Sequence, residues 1–404
     1  MLSVAEARRR ILDAMPLLPA EQIGLLDGLG RVLAEDLESR RSQPPMAVSA
    51  MDGYAVRATD VAIVPARLRI VGEVPAGASH DGVIGSGEAV RIFTGAPVPA
   101  GADAIVIQED TEPDGPHVIV REAAPLGHYV RPQGLDFSVG DVLLRAGRQL
   151  TARDIGLAAA MNRPWLMVRR RPRVAILATG DEIVMPGDPA GPNQIVSSNG
   201  LALAATIRAL GGDPILLGIA PDDRDALGSM ADGARGADLL LTTGGASVGE
   251  HDLVQSVLGE RGLELDFWRI AMRPGKPLIF GQIGGVPMLG LPGNPVSTLV
   301  CAMLFVHPAL AKMTGLPGDL PLQRIAHLAV ALPANDRRED YLRATMSVAE
   351  DGRCTVAPFG KQDSSMLAPL AKADCLVLRP PHAPAAAAGD TVACIPLPEG
   401  VLRP

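Results

Sequence analysis

Between residues 173 and 313, apolar runs and helix-spaced segments take turns, and this alternation limits the fold more than any other feature. RVAILA, DPILLGIA and ADLLLTTGG read as strands. SNGLALAATIRALG, DDRDALGSMADGAR and GEHDLVQSVLGERG read as the helices between them, with Gly211 stopping the first. ELDFWRIAM, PLIFGQIG and VPMLGLPG follow as strands, the last two forming a hairpin. NPVSTLVCAMLFVHPALAKM reads as one long helix, with Asn294 at the N-cap and Pro295 at the first helical position. Strands joined by helices in this way build a parallel sheet with helices on both faces. Such sheets bind ligands outside the carboxyl ends of their strands.

The flanking sequence is different. At 404 residues the chain exceeds one core, and two to four domains are expected. Residues 3–15 have helical spacing, with Val4, Ala7, Ile11 and Leu12 on one face and Ser3 as N-cap. A second helix is expected over 27–38, and a third over 151–163 with Thr151 as cap. Short alternating runs with many glycines and prolines make 56–150 β-rich, and 318–404 reads as a small β domain. The arginine cluster at 169–173 marks a boundary.

A net charge of -8 argues against nucleic acid or an anionic membrane as the main partner. Cys301, Cys354, Cys375 and Cys394 form no CxxC pair, so neither a zinc ribbon nor a redox dithiol is signalled. The first residues lack the pattern of a cleaved leader, and the longest apolar run, LVCAMLFV, is too short to cross a bilayer.

The strand ends carry the chemistry. ATGDEI, APDD and TTGGASVGEHD each place an acid at a strand-to-helix junction: Glu182, Asp222, Asp223 and Asp252. The glycine tract lets backbone N–H groups approach an anion at a helix start, with Thr242, Thr243 and Ser247 as hydroxyl donors. A tight turn before a helix explains the same glycines equally well. Each acid alone reads as a cap or a solvated charge; together on one rim beside a phosphate they suggest Mg²⁺. Arg269, Arg273 and Lys276, in a segment stiffened by Pro274 and Pro277, suggest an oxyanion pocket, against a surface-charge alternative. Lysine occurs only at 276, 312, 361 and 372.

SAMDGYAV, TGAPVPAGADAIV, ATGDEI, TTGGASVGEHD, MRPGKP and GLPGNPVS occur in the order and spacing of one family. The chain resembles the molybdopterin molybdenumtransferases of the bacterial MoeA type, which are similar to the gephyrin E domain. The resemblance spans essentially the whole chain. It implies a multidomain α/β plus β fold. The parts are a discontinuous helical domain (1–45 plus 145–172), a β-rich domain (46–144), a three-layer, MogA-like molybdopterin-binding domain (173–316) and a C-terminal β-barrel-like domain (317–404). It also implies an elongated cytoplasmic homodimer whose active site, on the α/β domain, is completed by the SAMDGYAV region of the other subunit. The implied reaction takes adenylylated molybdopterin and molybdate, cleaves the adenylate with Mg²⁺, and yields AMP and molybdenum cofactor.

Motif by motif, Asp52, Glu182, Asp222 and Asp252 match the family's functional acids, the last three as metal ligands. Thr94, Asp136, Thr243, Gly244, Gly245, Ser247 and Gly249 match binding positions. Pro292 and Pro295 shape the last turn, and Lys276, Arg343 and Ser364 match the molybdate site. Arg269 and Arg273 stand where lysine is frequent. RPQGLD replaces an RxGED-like run, so Leu135 neighbours Asp136, and Ser365 competes with Ser364. Molybdopterin adenylyltransferase and molybdoenzyme-maturation proteins are the implied partners. The alternatives are an adenylyltransferase, which resembles only 173–315, or a gephyrin-like scaffold. A nicotinamide dehydrogenase is disfavoured because no GxGxxG follows the first strand.

Overall fold

A computed structural model describes residues 1–75, 77–244, 253–318 and 323–397. The chain forms two compact units, one from Met1–Glu21 with Arg169–Pro404 and one from Gln22–Val168. Helix α1 (Val4–Asp13) starts as expected: the Ser3 hydroxyl accepts the Glu6 N–H at 3.1 Å. Its face of Val4, Ala7 and Ile11 is buried in the core of the first unit. The module expected from 1–45 plus 145–172 is therefore divided at α1, because these apolar residues bury against the α/β core.

In the second unit, strands β1 (Gly53–Val56), β2 (Ala66–Val74), β3 (Glu88–Ile92), β4 (Ala104–Ile107), β5 (Thr111–Asp114) and β6 (His117–Val120) form one sheet in the order β4-β1-β3-β2-β6-β5. Helix α2 (Ala152–Ala160) opens with a capping box: Thr151 and Asp154 satisfy each other's backbone N–H groups. The helix expected over 27–38 does not form. Gly30 has φ 75, and Gly30, Leu33 and Ala34 donate to the carbonyls of Leu150, Arg148 and Met167. Long-range pairing takes the backbone groups that a helix would have used.

The first unit holds the parallel sheet. Strands β7 (Arg173–Thr179), β8 (Asp213–Ala220), β9 (Leu239–Thr243), β10 (Leu263–Phe267), β12 (Ile279–Ile283) and β13 (Val286–Leu291) lie in the order β8-β7-β9-β13-β12-β10. The first four in that order are parallel, and β12 returns antiparallel through a hairpin. Gly284 and Gly285, with φ 56 and 80, supply the two-residue turn. Along β7, Ala175 and Leu177 pack under α4 (Arg224–Ala231) and α5 (Leu253–Glu260), while Val174 and Ile176 pack with residues of α3 (Asn199–Ala209), α6 (Pro295–Cys301) and α7 (His307–Met313). A strand apolar on both faces requires cover on both, which is the physical content of three layers.

One expectation is corrected here. ELDFWRIAM is a strand only to Phe267. The chain then folds back, Ile270 N–H donating to Lys276 C=O at 3.0 Å, and β11 (Met272–Arg273) joins the C-terminal sheet. The long helix is continuous from Pro295 to Met313, but Ala302–Val306 widens to π geometry. Pro308 has no N–H to return to the preceding turn. Asn294 occupies the N-cap position, with Pro295 first in the helix, but its side chain makes no capping bond. The helix is long and apolar enough to cross a membrane, yet 72% of that window is buried inside the fold.

Strands β14 (Arg324–Leu328), β15 (Glu339–Val348), β16 (Cys354–Pro358), β17 (Cys375–Arg379) and β18 (Thr391–Pro396) close into a barrel, because β15 pairs with both β16 and β17. Closure removes free edges. The barrel-like expectation for the C-terminal region is met.

Candidate active site

A cleft of about 1070 Å³ opens at the carboxyl ends of β7, β9 and β13. Its walls come from the strand ends, the 272–277 loop, and the 362–365 loop of the barrel region. Gly244 explains why the tract after β9 begins with glycine. Its φ is 93, and a Cβ there would stand 2.3 Å from the Thr179 carbonyl oxygen. Gly245, Ser247, Gly249 and Asp252 lie outside the described residues.

Glu182 and Thr243, with Arg273, Lys276, Pro292, Pro295 and Ser364, line this cleft. Glu182 is exposed and folds over Gly180, where a Cβ would lie 2.4 Å from its carboxylate. Asp222 does not line the cleft; its N–H donates to Asp181 Oδ1 at 3.0 Å. Asp223 caps α4, accepting the Ala226 N–H at 2.8 Å. Its bland reading is the correct one.

The cations divide by partner. Arg273 pairs with Asp340 and lies 3.6 Å from Asp336. Arg338, which the motifs do not reveal, also lines the cleft and holds Asp336 at 2.8 Å. The Arg338 hydrogen bonds pull the Asp336 carboxyl down to about 2. Lys276 is half-buried and has no ion-pair partner among the described residues. Arg269 is not on the cleft wall; its guanidinium lies 3.5 Å from the centroid of the Trp268 ring.

Arg343 does not line the cleft either. It is 1% exposed, and it donates to the carbonyls of Met366 at 2.8 Å and Asp363 at 2.9 Å and to the Gln362 side chain. It braces the loop that carries Ser364. The two serines separate by their bonds. Ser365 donates its hydroxyl to Asp363 at 2.7 Å. Ser364 Oγ accepts from Asn294 at 2.9 Å, and its own hydroxyl donates to no acceptor among the described residues.

Asn199 is a second cleft residue that the sequence reading missed. Its amide donates to Thr243 Oγ1 at 2.9 Å and to Gly293 C=O at 2.7 Å. Its only sequence signal is a polar SSN triplet where a helix begins. In the second unit, Asp52 Oδ1 accepts both the N–H and the hydroxyl of Thr94 at 2.8 Å. The Thr94 N–H is the first cause of its lowered pKa. Asp136 and Leu135 line a separate hollow with Arg131 and Pro44.

Among the described residues, no three His, Cys, Asp or Glu side chains are placed to hold a metal ion. The described donors, with Glu182 on the cleft and Asp222 off it, do not make a complete Mg²⁺ site.

A parallel α/β sheet with a mixed-charge cleft at its carboxyl edge is a ligand-binding module, and residues 175–312 match the model of a probable molybdopterin binding domain. Residues 2–162 match the MoeA N-terminal region (domain I and II), and 326–397 match the MoeA C-terminal region (domain IV). A molybdopterin molybdenumtransferase of Nostoc sp. is 36% identical, covering 98% of this chain and 94% of its own. Molybdopterin molybdenumtransferase 2 of Mycobacterium tuberculosis is 36% identical over 96% and 98%. The crystal structure of a molybdopterin biosynthesis MoeA protein from Pyrococcus horikosii matches with TM-score 0.85 at 32% identity, over 98% of this chain and 99% of that one. The chain belongs to the molybdopterin molybdenumtransferase (MoeA) family, a family of transferases in molybdenum cofactor biosynthesis.

Proposed function

We propose that the chain inserts molybdenum, taken as molybdate, into adenylylated molybdopterin, breaking the adenylate anhydride and releasing AMP. The observation that carries this reading is the half-buried Lys276, without an ion-pair partner among the described residues, facing a cleft that also holds the Ser364 hydroxyl, which has no acceptor among them. A cation without a counter-charge beside a neutral donor is a receptor for a tetrahedral oxyanion. The remaining arginine on the same loop is already spent on Asp340. The backbone corner at Gly244 and the Pro292–Asn294 turn offer the floor on which the phosphates of the second substrate rest. Mg²⁺ belongs to this reading as counter-charge for those phosphates; of the expected carboxylates Glu182 lines the cleft, Asp222 stands off it, and Asp252 lies outside the described residues.

The same reading takes the chain as a cytoplasmic homodimer. Asp52 and Thr94 of one subunit complete the cleft of the other, and a molybdopterin adenylyltransferase supplies the substrate. Neither nucleic acid nor a membrane is a partner.

Purified chain incubated with adenylylated molybdopterin, molybdate and Mg²⁺ is expected to yield AMP and molybdenum cofactor together. Lys276→Ala should raise the molybdate concentration required by roughly tenfold or more, the loss of a charge-assisted contact. Adenylate formation from ATP, without AMP release from the adenylylated substrate, would point to an adenylyltransferase instead.

A further inference from the structure

Under the cleft, the end of β9 and the turn after β13 meet back to back. The first ends in the Gly244 bend; the second is the Pro292–Gly293–Asn294 turn. The Gly244 Cα lies 3.5 Å from where a side chain on Gly293 would begin. Ladder pairing between the two strands ends at Thr243 and Leu291. Beyond that pair, among the described residues, the bonds that join the two segments run through side chains. Asn199 Nδ2 donates to Thr243 Oγ1 and to Gly293 C=O, and Thr243 Oγ1 in turn donates to Pro292 C=O at 3.5 Å.

The amide orientation follows from the partners. The Gly293 carbonyl only accepts, so the NH₂ group must face it, and both amide protons are then in use. Asn199 stands in the first turn of α3, where Ser198 makes no capping bond. Asparagine favours neither the helix interior nor this turn for its own sake. Its side chain is turned outward, away from its own helix and onto two loops that belong to other strands.

The geometry points to Asn199 as the positioning residue that fixes the spacing between the end of β9 and the Pro292–Asn294 turn, and with it the floor of the cleft. This inference rests on the reading of the cleft as the seat of the anionic substrates. It assigns Asn199 no contact with the reacting atoms. Without the clamp, the Pro292–Asn294 turn drifts from β9, and Asn294, which holds Ser364, drifts with it. Substrates still bind, but the anhydride and the oxyanion lose their alignment, and misalignment of this kind costs up to about 100-fold in rate.

The test uses the full chain and the variants Asn199→Ala, Thr243→Val and their combination. Asn199→Ala should lower kcat for AMP release by roughly 10- to 100-fold with KM for molybdate near that of the parent chain. The combined variant should lose no more than Asn199→Ala alone, because both remove one clamp. Hydrogen exchange of the 290–297 segment, measured without substrate, should quicken by about tenfold in Asn199→Ala, the effect of a lost hydrogen-bond pair. Parent-like exchange, or rate losses that multiply in the combined variant, would overturn the inference. If the parent chain releases no AMP, the functional reading fails while the exchange measurement still decides the clamp. Should Asn199→Ala not fold by circular dichroism, Asn199→Ser, which keeps one donor, is put through the same cycle with the same outcomes deciding.

Discussion

A guanidinium with five donors can serve an anion or a set of carbonyls, and Arg343 serves carbonyls. It is buried on β15, and burial lowers its pKa from the ordinary arginine value. Motif matching put Arg343 in the oxyanion site; the bonds put it behind the loop that bears Ser364. Arg343→Ala should therefore act first on stability, by about 3 kcal/mol, because it leaves buried carbonyls unpaired. Its effect on molybdate dependence should follow through the loosened loop. Thermal unfolding followed beside molybdate titration checks this: unchanged stability with a raised molybdate requirement would return Arg343 to direct contact. Lys276 behaves differently, and its rarity in a chain dominated by arginine was the signal. Asn199 and Arg338 gave no such signal, because their roles depend on partners brought near by the fold alone.

Elements were legible where burial and local chemistry agreed. Strand β7 reads clearly because it is apolar at every position from Val174 to Ala178, and α3 because Gly211 ends it at φ 82. The segment 27–38 misled because Val32, Leu33 and Leu37 satisfy a helical period as readily as a strand-like one. Only the distant carbonyls of Arg148 and Met167 decide between them. The helix from Pro295 was legible in extent, though its π turn was not. Helix α1 gives an element-scale prediction. Glu6 bonds Arg9 and Arg10, and those bonds, that to Arg9 first, pull its carboxyl down to about 2. A carboxyl that protonates less readily when folded contributes in full above its ordinary value of 4.5 and loses that contribution as pH falls toward about 2. Glu6→Gln should flatten the acid limb of the stability curve across that window, and added salt should do the same in the parent chain because the pairs are exposed. An acid limb unchanged by either would remove the network from the account.

At the scale of the molecule, the α/β sheet and the barrel share one apolar core. Leu304 and Phe305 of the long helix lie in the same buried cluster as Tyr341, Leu376 and Ile395 of the barrel. The α/β segment is consequently not a finished domain when cut free. A chain ending at residue 316 should bind a hydrophobic dye and lose near-ultraviolet dichroism while keeping helical signal. Tight packing retained by that fragment would show the two cores to be separable. The barrel also reaches into the chemistry. Strand β11 is hydrogen-bonded to the start of β15, and within a few residues the same segment delivers Lys276 to the cleft. The ammonium is thus mounted on the barrel like a pin on a lid hinge. A small molecule wedged against the barrel's outer wall would shift that pin and so detune anion capture from a distance, leaving the strand ends untouched.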